Sequence, residues 1–406
     1  MKPTKLTLIT ATIFLVAFAT PLPLIAQQTH YTVFDLGTLG GSSSIASGVN
    51  NRGAVSGISD VSGDVALHAF LWRRGKMTDL GTFGGPNSIS RDQLNELDQI
   101  GGMAEASVPD PLGEDFCFFG TNLVCLPFVW TKGVLIPLPT LGGNNGVAHG
   151  INNRGQVVGL AENTTPEPTC TPPQVLQFKP VIWQQGQVQE LPTFPGDPDG
   201  FGVAINDRGQ VAGASGDCTA TTRHALLWQN GTAINLGSLG GSRILPQAIN
   251  NQGQIVGGGS LPGDVTGHAF LWQNGVITDL GTLPGDDFSG AFGINSKGQI
   301  VGLSCNPADC AAVVWQNGTI TDLNTLLPVD SALLIFVARA INDRGEIVGL
   351  AVDTNSGEEH ACLAIPQPLS AKNVEAPAPQ TTTRPIVVNE VARKILSRYV
   401  NANPVR

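Results

Sequence analysis

Charged side chains are scarce, making up 13% of the 406 residues, and no run of Lys or Arg interrupts the long central part of the chain. That argues against nucleic acid or an anionic lipid surface as partner, because both are held by clustered cations. Apolar runs are equally limited. One lies near the N-terminus, and no second stretch long enough to span a bilayer follows, so no membrane span is expected in the mature chain. The familiar catalytic patterns are missing as well. There is no Gly-x-Ser-x-Gly elbow, His-Glu-x-x-His, phosphate loop or Asp box, so no cofactor or metal is expected and an enzyme is the less favoured reading.

What is abundant is turn-forming residues. Gly at 50 and Pro at 28 together approach a fifth of the chain, which suits a turn-rich all-β protein better than a helical one. Lys2 and Lys5 precede an apolar run from Leu6 to Phe18, followed by small residues and Pro, the pattern of a secretory signal peptide. The expected signal is 1–26, with cleavage after Ala19 as the alternative, and the mature protein is expected to be secreted or periplasmic. Two positive charges in that segment, and six basic against two acidic residues from Gln367 onward, leave the body between them at about −16. An acidic body again points away from polyanions.

Seven cysteines in an exported chain imply disulfides and one thiol left over. Cys117 with Cys125, and Cys305 with Cys310, are close enough to staple single loops. Cys170 and Cys218 occupy comparable loops of consecutive repeats and are candidates to bridge them. Cys362 is then the odd one, and it stands where two other repeats place Phe, so it is expected to be buried and inert.

Those repeats organise the whole sequence. Val49-Asn50-Asn51-Arg52-Gly53 recurs around Asn152, Asn206, Asn250, Asn295 and Asn342, with a weaker copy at Leu94-Asn95-Glu96-Leu97-Asp98. Successive Asn positions are 44 to 57 residues apart, the range of a four-stranded propeller blade. Each unit reads as a first strand of small and aliphatic residues, a tight turn in which Asn and Gly supply positive φ, and a second strand. A variable loop leads to the third strand, as in His68-Ala69-Phe70-Leu71-Trp72, and a second tight turn to the fourth, as in Asp79-Leu80-Gly81-Thr82. All six Trp fall at the end of a third strand. An orphan fourth strand at Val33 to Leu39 precedes the first unit, while the last unit stops after its third strand at His360-Ala361-Cys362-Leu363. One end supplies what the other lacks. The expected fold is therefore an all-β, seven-bladed β-propeller over 27–366, closed by the N-terminal strand completing the last blade. A flexible Pro/Ala/Thr-rich linker (367–386) and a tail (387–406) with a possible short amphipathic helix follow. A monomer is expected.

The combination of His-Ala-Phe-Leu-Trp with Asp-Leu-Gly-Thr-Leu-Gly-Gly resembles the HAF family of extracellular repeats over about residues 31 to 366. The resemblance implies a bacterial exported protein with a propeller-like fold, and brings no established activity. Leu126-Pro127-Phe128, Lys179-Pro180-Val181 and Ala311-Ala312-Val313 depart from the triplet, which puts the second, third and sixth units in doubt as blades.

Strand order puts the two tight turns on one rim and the two variable connections on the other, and function is expected on the variable rim. One channel-side position of the first strand fails to repeat: it holds Ser47, Asp92, His149, Val203, Gln247, Phe292 and Arg339. An asymmetric ligand needs such variation, which makes Arg91, Asp92, His149, Gln247 and Arg339 the candidate binding residues. Pairing across blades is the structural alternative, and the more common fate of such groups. The repeated His68, His224, His268 and His360 belong to different blades and cannot converge on one ion. Asp197, Asp199, Asp264, Asp286 and Asp287 match no calcium-loop spacing, and the sequons at Asn230 and Asn317 read as hairpin turns. The favoured reading is a binding or protein-interaction scaffold, its partner a glycan, a peptide or another envelope protein. The alternative is a propeller hydrolase or lyase acting on carbohydrate with channel-mouth carboxylates and His149.

Overall fold

A computed structural model describes residues 29–218 and 223–367, with the Asp92 side chain also outside the described set. The expected signal peptide, nearly all of the expected linker, and the tail with its possible helix lie outside the described residues. The described chain is all β apart from one 3₁₀ turn at Leu323–Leu326, and no helix among the described residues is long and apolar enough to cross a membrane.

Four-stranded antiparallel sheets recur along the chain in simple up-and-down order. Five stand alone and two share an eight-stranded sheet, joined there by a single parallel pair, Ser43 with Glu359. The three units that lack the His-Ala-Phe triplet each form a complete four-stranded sheet. In the last unit the fourth position is filled from the other end of the chain. His30–Asp35 runs antiparallel to Glu359–Gln367, in a register that sets Tyr31 opposite Pro366 and Asp35 opposite Cys362.

The repeated residues explain the sheets. In the second strand of each unit one Gly, Gly57 in the first, lies against the first-strand backbone. A Cβ on Gly57 would meet the Ile45 carbonyl at 2.2 Å and the Phe70 ring at 2.6 Å, so only Gly lets the aromatic of strand three cross over it. The His of the triplet has its role in the same unit. His68 Nδ1 lies 2.8 Å from Asp79 Oδ2 and His268 Nδ1 2.8 Å from Asp279 Oδ2, each tying strand three to strand four. That Asp also accepts the N–H of the Gly two residues on, at 2.7 Å in both units, which closes the Asp-Leu-Gly turn. His360 makes the same contact with Asp35, 2.8 Å away across the joined chain ends. Trp side chains connect neighbours: Trp183 and Trp228 donate Nε1–H to the carbonyls of Pro139 and Pro192 at 2.7 Å, at the end of the preceding unit's fourth strand.

The Asn of the turn does more than the sequence suggested. The positive φ belongs to the Gly, at +76° for Gly53, and Asn50 is not among the positive-φ residues. Its Oδ1 instead accepts the N–H groups of Arg52 and Ala54 at 3.0 Å, while Nδ2 donates to the Asn95 carbonyl of the next unit at 3.0 Å. The same donation runs from Asn95 to Asn152, Asn206, Asn250, Asn295 and Asn342 in turn, and Asn342 returns it to the Asn50 carbonyl at 2.9 Å. The relay ends where it began.

Disulfides join Cys117 to Cys125, Cys170 to Cys218 and Cys305 to Cys310, and Cys362 is free and buried. Burial pushes the Cys362 thiol up to about 12, so it is protonated and unreactive at neutral pH. A thiol-specific chromophore should therefore find no reactive thiol in the native protein, one in guanidinium, and seven after reduction. A count of three or more before reduction would contradict the pairing.

Candidate ligand-binding cavity

The position that varies from unit to unit is a structural feature. Each first strand slips register by one residue there, leaving Ser47, His149, Val203, Gln247, Phe292 and Arg339 as bulged residues between flanking ladder pairs. A bulge re-aims its side chain out of the pleat. The second unit is one residue longer, so that Arg91, Asp92 and Gln93 all fall between the pairs Ser90–Gly102 and Leu94–Ile100.

The bulged side chains separate into two groups. Arg91 and His149 are 2% exposed and Arg339 is 8% exposed. Arg339 holds its guanidinium 4.6 Å from the centroid of the Phe292 ring, and His149 meets Phe201 edge-on at 6.2 Å. Both are packed into the interior. Asp92 lies outside the described side chains. Gln247 behaves differently. It borders a cavity of about 210 Å³ at the tight-turn end of the first strands, together with Phe292 and the Asn motifs of all the units. Of the four sequence candidates whose side chains are described, the structure brings only Gln247 to this cavity, and the cavity sits at the rim opposite the variable connections.

Gln93, which the sequence reading passed over, is the second amide at the wall. The extra residue of its bulge lets it reach across two units, where its Oε1 accepts the Ile205 N–H at 3.3 Å. Its path needs a small neighbour: a Cβ on Gly150 would come within 2.5 Å of that Oε1. The signal in the sequence was the length of the second unit between Ile89 and Leu94, one residue more than between Ile45 and Val49. Among the described residues the Gln247 amide makes no hydrogen bond, and Gln93 uses only its oxygen, so both keep donors for a ligand.

The acids at this mouth are committed to the protein. Glu96 Oε1 accepts the Asn51 N–H at 2.9 Å, Asp207 Oδ1 the Asn153 N–H at 2.9 Å, and Asp343 Oδ1 the Ser296 N–H at 2.8 Å. Burial alone would raise the Asp207 and Asp343 carboxyls, but the hydrogen bonds they accept outweigh it and hold both below the ordinary range. They stay ionised acceptors.

Acids pushed the other way lie elsewhere. Where the loop of residues 110–122 meets the third unit, Asn145 Nδ2 sits 2.9 Å from Asp110 Oδ2, 3.3 Å from Glu114 Oε2 and 3.0 Å from Glu162 Oε2. Burial, and then the neighbouring Glu114 charge, push Glu162 up to about 8, and burial raises Glu114 as well. Burial likewise carries Asp199 and Glu359 to about 7. Acids whose folded pKa exceeds the unfolded value bind more protons when folded, so stability falls as pH rises from about 4.5 to about 8. The urea midpoint should be higher at pH 5.5 than at pH 8.5, and a midpoint that rises across this range would contradict the assignment.

Among the described residues one triad of potential metal-binding atoms is present, Cys170, Asp199 and Cys218, but its two sulfurs are joined as a disulfide and so are not thiolate ligands.

No family model and no curated protein sequence matches the chain. Solved structures resemble it at the level of architecture. The β-propeller domain of the Trilobed protease from Pyrococcus furiosus aligns with 80% of this chain and 97% of its own, at 9% identity and a TM-score of 0.48. A catalytically inactive virginiamycin B lyase from Staphylococcus aureus aligns with 82% of this chain and 99% of its own, at 11% identity and a TM-score of 0.46. The acylaminoacyl peptidase of Pyrococcus horikoshii aligns at 10% identity and a TM-score of 0.45, and this match takes in 76% of the chain and 49% of the peptidase. Likeness of this order carries neither substrate nor mechanism across.

Proposed function

We propose that the chain is an exported, non-enzymatic binding module, a seven-bladed β-propeller of the HAF repeat type closed by His30–Asp35, whose central cavity holds one uncharged, hydroxyl-rich unit such as a sugar ring. The ring reading is supported by the Asn relay that returns to its start and by the His360–Asp35 contact, which repeats within the closing unit the pairing seen inside single units. Export is supported by three disulfides. The observation that carries the ligand class is the wall of the cavity: two amides with unused donors, Gln93 and Gln247, beside the Phe292 ring. Amides bond hydroxyl pairs through donor and acceptor together, and an aromatic face covers the apolar side of a sugar. About 210 Å³ is below the range of drug-sized pockets, roughly 300–1,000 Å³, and suits a single ring.

Hydrolysis fits the cavity poorly. Glycoside cleavage needs a carboxylic acid that donates a proton, and Asp207 and Asp343 are held ionised by hydrogen bonds. A glycan array followed by calorimetry with the retained sugar tests the proposal. Gln247→Ala should weaken binding about tenfold, the equivalent of about 1.4 kcal/mol, without moving the unfolding midpoint. Absence of any retained glycan, or a Gln247→Ala variant that binds like the parent, would overturn it, as would release of reducing ends from the bound sugar.

A further inference from the structure

Between the first and second units, on the outside of the tight-turn rim, lies a cleft of about 610 Å³ that departs from the repeat at several positions together. In the third to sixth units a Gln after the first turn donates to a Gln at the end of strand three, as Gln156 does to Gln184 at 3.1 Å and Gln210 to Gln229 at 2.9 Å. Here those strand-three positions hold Arg73 and Thr131. The turn of the second unit differs too. Leu97 stands where the other units carry Arg, Lys or Gln, and is 64% exposed. Asp98 stands where they carry Gly, and holds a φ of +58° that Gly adopts without cost.

The replacements act as a set. Asp98 receives Arg52 Nη2 at 2.8 Å on one oxygen and Arg73 Nη1 at 3.1 Å on the other, which fixes two guanidinium groups side by side at the cleft. Each uses one of its five N–H donors on Asp98, and the side chains remain 46% and 47% exposed. Lys132 adds a third cation, exposed and with no ion pair among the described residues. Three cations against one carboxylate leave the cleft positive on an acidic protein. Its floor is apolar, formed by Leu71 and Trp130 with Leu97 at the lip. The corresponding cleft between the third and fourth units, about 600 Å³, is lined by five Gln with Arg154, Arg208 and the apolar Ile182, Leu191 and Trp228, but its lining includes no carboxylate that holds two guanidinium groups together.

We propose that this cleft binds the C-terminal carboxylate of a peptide chain that ends in an apolar residue. Paired guanidinium forks match a planar carboxylate, and the apolar floor takes the last side chain. Gln99 and the Thr131 hydroxyl, also at the wall, match the amide groups of a peptide and have no counterpart in a simple fatty acid.

Calorimetry on the whole mature chain with N-acetyl-Leu-Leu as the free acid, the same dipeptide as the C-terminal amide, and octanoate tests this. The acid should saturate, with the amide and octanoate each about tenfold weaker or more. Leu97→Gln, which places at this turn the uncharged residue that the fifth unit carries as Gln252, and Lys132→Asn, which keeps a residue tolerant of positive φ, should each weaken the acid about tenfold with an unchanged unfolding midpoint. Should either variant fold poorly, Arg73→Gln restores the recurring Gln and carries the same expectation. Equal binding of acid and amide, equal binding of octanoate, or folded variants that bind like the parent would overturn the proposal.

Discussion

A mature chain that begins at Gly37, lacking His30–Asp35, should lose its cooperative unfolding transition and expose the Cys362 thiol. The strand being removed buries Tyr31 to 3% exposure, and Leu36 beside it is 6% exposed. Full burial of such side chains is worth roughly 1.5–3 kcal/mol each. Its deletion also removes the ladder to Glu359–Gln367 and the Asp35 partner of His360. The sum approaches the whole net stability of an ordinary domain, about 5–15 kcal/mol. The exposed edge of the last strand would in addition be a template for aggregation. Urea unfolding followed by Trp fluorescence, with the rate of thiol labelling at Cys362, measures both effects. A truncated chain that unfolds like the parent, with Cys362 still silent, would show that the pairing of the two ends does not hold the fold together.

Asn206→Ala tests the relay itself. Asn206 is 4% exposed; its Oδ1 accepts the N–H groups of Arg208 and Gln210 at 3.0 Å, and its Nδ2 donates to Gln210 Oε1 at 2.7 Å and to the Asn250 carbonyl at 3.0 Å. Each buried group left without a partner costs about 1–3 kcal/mol, so the substitution should destabilise by about 3–6 kcal/mol. Asn206→Asp keeps the acceptor and loses only the donors, and should cost about half as much. The comparison of the two, by urea midpoint at neutral pH, separates capping of the turn from the link to the neighbouring unit. If both variants cost less than about 1 kcal/mol, the relay is incidental to stability.

Much of this molecule could be read directly from its residues. The hairpins were visible because Gly and Asn, which take positive φ most readily, recur at fixed places in the repeat. The pairing of cysteines followed from closeness in sequence for Cys117 with Cys125 and Cys305 with Cys310, and from comparable loops for Cys170 with Cys218, and the role of each strand from a pattern repeated often enough to show which positions vary. The variable first-strand position was legible as an exception to the repeat, although its physical cause, a β-bulge, was not. The motif Asn was misread. A local pattern accounts for its turn, but its second partner lies 44 to 57 residues away in sequence, or 292 for Asn342, and no local spacing announces a side-chain amide that reaches the next unit.

The site was less legible than the fold, for a related reason. Arg91, His149 and Arg339 looked like ligand-binding types, and in the structure all three are buried, His149 and Arg339 beside aromatic rings. Whether a polar side chain meets solvent or a neighbouring blade depends on the direction its bulge gives it and on the size of what lies opposite. Gln93 reaches the cavity because its strand is one residue longer and because Gly150 leaves room.

The sequence by itself determined the strands, their order, the tight turns and the identity of the half-cystines, since each depends on local backbone conformation or on cysteines in loops that the repeat itself aligns. Only the tertiary structure decided where the open space lies, which amides face it, and which charges are consumed by their neighbours. Those properties arise between units, where side chains from residues far apart in the chain compete for the same hydrogen-bonding partners and the same volume.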